Sequence, residues 1–218
     1  MFTFYKFPIT VYASIQQSQT MNQPKQTLDP RIARTKAAVE MSVLKLLSEG
    51  HPFTTLTISE VAKTAEITRK TLYSRFGSLE QVVKEMASGM FEEISGEITN
   101  DMLKVPLSDS ALTSVVFRAY EQHKSTLTPL LKYCPSFLFL DPCRQIIGEL
   151  LDRIISVNNF HPLPAFEVEY MTAIHSSILH ATLTVWVERG FIDSPDQLSE
   201  LMVKLLGPGV DTFLKSLE

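Results

Sequence analysis

Arg69, Lys70, Thr71, Tyr73, Ser74 and Arg75 crowd into seven consecutive residues within the stretch 57–76, TISEVAKTAEITRKTLYSRF. Their chemistry suits double-stranded DNA. An arginine forks onto guanine O6 and N7, a lysine donates to guanine or phosphate, and a threonine touches a thymine methyl or donates through its hydroxyl. A tyrosine phenol on a phosphate fixes register without reading sequence. The same residues also fit a helical hairpin with an ordinary solvated basic face, because charged helix faces are common.

Two short helices must hold this set. Thr57 stands where an N-cap belongs, and Glu60 completes a capping-box pattern. Ile58, Val61, Ala62 and Ala65 recur at helical spacing. Residues 64–67 make a turn, and Thr68 is placed to cap a second helix whose buried stripe is Leu72 and Phe76. Such a pair sets its second helix in the major groove while the first braces it.

The flanking residues extend the pattern. DPRIARTKAAVEMSVLKLLSEG (29–50) and FTTLTISEVAKTAEITRKTLYSRFGSLEQVV (53–83) resemble the N-terminal DNA-binding domain of TetR-family transcriptional regulators. The shared features are an arm with Arg34, Thr35 and Lys36, a first helix ending near Glu49 and Gly50, Thr57 opening the second helix, Thr71, Leu72, Tyr73 and Phe76 in the third, and a fourth from Gly77 and Ser78. The resemblance implies an all-α fold: an N-terminal three-helix helix-turn-helix domain over 28–77, then a C-terminal helical ligand-binding and dimerisation bundle over 78–218. It carries DNA contact to Arg34, Lys36, Thr57, Thr68, Arg69, Lys70, Thr71, Tyr73, Ser74 and Arg75. Two positions depart from the family. Glu66 stands where a turn glycine is usual, and a left-handed conformation there costs about 1 kcal/mol over Gly. Leu79 replaces a lysine that contacts phosphate in many members, leaving the amides of 78–80 as the anion-binding feature there, with Glu80 weakening it.

Charge localises the expected contact. Net charge is −4, yet residues 28–90 carry nine basic and seven acidic side chains, whereas 91–218 carry nine and seventeen. Acidic bulk repels DNA, so binding belongs to the N-terminal end. Residues 1–20 are apolar and aromatic to Ile15, then glutamine-rich; Lys6 and Pro8 break the run that a signal peptide needs. Residues 1–27 are expected to form a loose extension, and Met21 resembles a natural start for the family. Cys134 and Cys143 fit a reducing cytoplasm and lack metal-site spacing.

Beyond Ser78 the sequence reads as helix. Leu79, Val82, Val83, Met86, Met90, Phe91 and Ile94 mark a long fourth helix, and 110–124 a further amphipathic one. A short segment is expected over 129–133, and Pro142 is expected in the first turn of a helix to about Val157. A long helix follows over 166–189, then one from Ser194 and Pro195 that Gly207, Pro208 and Gly209 should interrupt. Ala173, Ser176, Ser177, Ala181 and Val185 let another helix approach closely. In TetR-family proteins the last two long helices form a four-helix dimer interface; this places Ala173, Ser177, Ala181, Val185, Leu198, Leu201, Met202 and Leu205 at a homodimer face. The resemblance also implies a small-molecule effector in a core pocket, for which Phe117, Tyr120, Tyr133, Cys134, Phe137, Met171, His175 and Trp186 are the expected lining; each aromatic is equally suited to ordinary core. His175 and His180 do not share a helix face for a metal pair. With no phosphate loop, nucleophile elbow, HExxH or site-like carboxylate pair, neither enzymatic activity nor a metal, cofactor or membrane partner is expected. The expected function is a homodimeric repressor on a pseudo-palindromic operator, released by ligand. The alternative is a helix-turn-helix protein with degraded operator binding that works through a protein partner, for which Leu79 is the hint.

Overall fold

The computed structural model describes residues 30–107 and 111–216, which form nine α-helices and no strand. The chain divides between Arg34 and Thr35 into two units, and the contacts described below lie within the second. The expectations for residues 1–27, including a start at Met21, lie outside the described residues. Among the described residues no helix is long and apolar enough to cross a membrane.

Helix α1 (Pro30–Ser48) buries Val39, Val43 and Leu47, which recur every four residues. Gly50, at φ +90°, turns the chain out of it, with the Gly50 and His51 amides donating to Leu47 and Leu46 carbonyls. After a 3-10 turn at Phe53–Thr55 come α2 (Ile58–Thr64) and α3 (Arg69–Phe76). Helix α4 (Leu79–Gly96) buries eight side chains from Leu79 to Ile94. The remaining helices are α5 (Leu112–Gln122), α6 (Lys124–Tyr133), α7 (Phe137–Asn158), α8 (Ala165–Glu188) and α9 (Pro195–Lys215).

One hydrophobic core runs from Val39 on α1 through α4 to Trp186 and Leu198. A smaller cluster of Ile98, Leu103, Ile154 and Leu214 closes the other end of the bundle. Polar ties hold α4 and the segment after it to α7: Lys84 Nζ lies 2.7 Å from Asp141 Oδ2, and Arg153 donates to the carbonyl of Ile98, just beyond α4, at 2.6 Å.

Three prolines behave differently from the sequence expectation. Pro142 is interior to α7, which starts five residues earlier at Phe137; Pro129 is interior to α6; and α9 passes unbroken through Pro208. An interior proline forfeits one hydrogen bond and costs ~3 kcal/mol. Fully burying a leucine or phenylalanine returns about 1.5–3 kcal/mol each. The extra turn of α7 buries both Leu138 and Phe139, and the extension of α9 buries Leu214 and brings Val210 and Phe213 against the smaller cluster. Burial outweighs the local penalty. The amphipathic segment expected over 110–124 is α5, and the chain turns at His123 directly into α6.

Candidate functional site

The α2–α3 pair is built by its caps. Thr57 and Glu60 form the reciprocal box: the Glu60 amide donates to Thr57 Oγ1 at 3.2 Å, and the Thr57 amide and hydroxyl donate to Glu60 Oε2 at 2.9 and 2.7 Å. The Thr57 hydroxyl, then its amide, hold the Glu60 carboxyl below its usual range. Glu66 has φ +54°, the left-handed turn expected there, and the Ile67 amide donates to the Ala62 carbonyl to complete it. Thr68 Oγ1 accepts from the Thr71 amide at 3.1 Å and lies 2.9 Å from the Thr71 hydroxyl. Leu72 and Phe76 are buried, which fixes how α3 is rolled.

That roll exposes Arg69, Lys70, Thr71, Tyr73 and Ser74. Tyr73 is 65% exposed. Arg69 and Lys70 have no ion-pair partner among the described residues. Thr71 and Ser74 are partly committed, since the Ser74 hydroxyl donates to the Thr71 carbonyl at 3.1 Å. Arg75 departs from the outward set. It is half-buried, its guanidinium lies 5.4 Å from the Phe76 ring centre, and its Nε is buried without a partner. Its charge also acts on Glu40 of α1, whose carboxyl pKa is raised chiefly by burial and lowered most by Lys36, 3.7 Å away. Arg34 is exposed. The arm is not extended at these positions, because α1 already begins at Pro30.

Leu79, where a lysine was the family's usual residue, is buried in the core as the first residue of α4. Ser78 caps that helix by accepting from the Gln81 amide at 3.2 Å.

A cavity of about 260 Å³ lies between α5, α7, α8 and α9. Of the expected pocket residues, Phe117, Met171 and His175 line it. Tyr120, Tyr133, Cys134, Phe137 and Trp186 do not. Tyr120 and Trp186 are core, with Trp186 Nε1 donating to the Asp193 carbonyl at 2.9 Å and its ring edge-on to Phe117. Tyr133 and Cys134 pack against the same core, and Phe137 is exposed beside Lys84. Burial pushes both cysteine thiols, Cys134 and Cys143, up to about 12, and both are free. The lining that the sequence reading missed is aliphatic: Ile147, Leu150, Ile178 and Val210 among others. Aromatic content does not point to this lining, and the α9 wall became legible only with that helix continuous.

On α8 and α9 the expected interface residues separate by direction. Ser177, Ala181, Val185, Leu201 and Leu205 are exposed, and Ala173 is half-buried. Leu198 and Met202 turn inward instead: Leu198 joins the core and Met202 lines the cavity. Phe166, Tyr170, Ile174 and Ile192 are further exposed apolar residues not anticipated. The first three continue the Ser177, Ala181, Val185 stripe at helical spacing.

No protein-family model matches the chain. It is 26% identical over 77 residues to the uncharacterized HTH-type transcriptional regulator YxbF of Bacillus subtilis (strain 168), a match covering 35% of this chain and 20% of that protein. Among solved structures, NalD, the secondary repressor of the MexAB-OprM multidrug efflux pump in Pseudomonas aeruginosa, superposes with a TM-score of 0.50 at 17% identity. The superposition covers 82% of this chain and 97% of NalD. The TetR family repressor AlkX of Dietzia sp. strain DQ12-45-1b aligns at 20% identity over 83% and 97% of the two chains, with a TM-score of 0.46. The all-α fold, with an N-terminal helix-turn-helix and a C-terminal bundle, is thus one shared with NalD.

Proposed function

We propose that the chain is a DNA-binding transcriptional regulator of the TetR type, working as a homodimeric repressor that a small molecule releases from its operator. The observation that carries this reading is the α3 surface. A short, capped helix presents Arg69, Lys70 and Tyr73 to solvent, with both cations free of ion pairs among the described residues. Holding two unpaired cations and an exposed phenol on a rigid helix adds nothing to stability and suits groove and phosphate contact.

Two copies are needed because one reading helix spans few base pairs, too few for selectivity in a genome. The apolar stripe Phe166, Tyr170, Ile174, Ala181 and Val185 on α8, together with exposed Leu201 and Leu205 on α9, supports pairing through these helices. Ligand binding in the α5–α7–α8–α9 cavity would act only through its differential affinity for DNA-competent and incompetent states.

Titrating the purified chain against DNA from its own upstream region at increasing salt tests the reading. Affinity concentrated on one segment and falling steeply with salt is expected. Binding that is flat across sequence and salt would favour action through a protein partner instead.

A further inference from the structure

The cavity is larger than an ordinary packing defect. An engineered cavity of about 150 Å³ lined by Leu, Ile and Phe stays dry and admits benzene. At about 260 Å³, this one has room for a ligand of roughly ten to twelve non-hydrogen atoms. Neither Lys nor Arg lines it, so a carboxylate placed inside would be left without a cation.

The polar atoms on its walls are mostly committed to the protein. Thr113 Oγ1 lies 2.7 Å from Ser199 Oγ. Thr182 Oγ1 donates to the Ile178 carbonyl at 2.9 Å. Asp211 Oδ1 accepts from the Leu107 amide at 2.8 Å. His175 is the exception. Its Nδ1 sits 2.7 Å from the Met171 carbonyl, and a carbonyl only accepts, so Nδ1 carries the proton. In the neutral ring Nε2 is then an acceptor, and no described residue bonds to it.

Resting on the proposed ligand-released regulator, we infer that the cavity takes an uncharged, largely aliphatic molecule bearing one hydroxyl, which donates to His175 Nε2. A medium-chain alcohol is the simplest member of this class. Hydrocarbon burial supplies the affinity, and the single acceptor sets orientation and preference.

Calorimetric titration of the full-length chain with 1-octanol, its isomer 1-methoxyheptane, octanoate and octylammonium tests the inference. The ether matches the alcohol in size and lacks the donor. One octanol per chain is expected, binding roughly three- to tenfold tighter than the ether, the difference of one neutral hydrogen bond. Octanoate, which would meet the Asp211 carboxylate and no cation, should bind far more weakly. His175→Leu should bind alcohol and ether alike. Ile147→Phe and Val203→Phe, which fill the cavity from α7 and from α9, should each abolish binding while DNA affinity, measured in parallel, reports that the chain is folded. Octanoate or octylammonium matching octanol, no binding of octanol, or an alcohol preference surviving in His175→Leu would overturn the inference. Octanol binding with DNA affinity unchanged supports the ligand class and contradicts the release reading. DNA binding by a chain that takes no octanol contradicts the ligand class and leaves the DNA-binding reading standing.

Discussion

At the residue scale, the proposed DNA contact divides the α3 side chains into readers and supports. Arg69→Ala and Lys70→Ala should each relax base preference at particular operator positions, on the order of 1–3 kcal/mol. Tyr73→Phe should weaken all sequences about equally, since a phosphate contact carries no base information. Relative affinities for single-base operator variants check both statements. Glu40 gives a prediction of opposite character. Burial raises its carboxyl pKa, so the folded chain holds that proton more tightly than the unfolded one. Stability from this group is therefore present below the ordinary carboxylate value of about 4.3 and is lost as pH rises through the raised value. Glu40→Gln should melt at a higher temperature than wild type at pH 7, and the advantage should disappear near pH 4. The exposed face of α3 was legible in sequence because capping and the Leu72, Phe76 pair are local signals. The inward turn of Arg75 was not, because it depends on the Phe76 ring face and a carboxylate on α1.

Among the elements, the turn between α2 and α3 is one of three places in the described residues where a non-glycine residue is held at positive φ, Asn159 and Phe191 being the others. Glu66 sits at φ +54°, a conformation that costs an L-residue about 1–2 kcal/mol, against the extra backbone entropy that glycine loses on folding. Glu66→Gly should raise stability by about 0.5–1 kcal/mol in urea unfolding and leave the α3 contacts intact. The strained turn could be anticipated because the resemblance to the TetR family places a glycine where Glu66 stands. The long helices were harder. Pro142 and Pro208 are strong local stop signals, yet α7 and α9 continue through both because Leu138, Phe139 and Leu214 gain burial only in the folded bundle. That gain is non-local, and with α9 cut short the sequence reading left Val210 and Asp211 out of the cavity wall they form.

For the molecule as a whole, the account requires two copies on one site. Val185 and Leu205 are 53% and 66% exposed, so a charge at either position disturbs little within the chain. Val185→Glu or Leu205→Glu should shift the light-scattering mass toward a monomer without lowering the melting temperature by more than about 0.5 kcal/mol equivalent. Leu198→Glu would instead unfold the core it belongs to. The most direct test of the central claim is a footprint of the purified chain on its upstream DNA. The account predicts one protected pseudo-palindrome whose half-sites lie roughly 34–36 Å apart or a multiple of it, with protection lost steeply as salt rises. Protection without two-fold symmetry, or no protected segment at low salt, would contradict it.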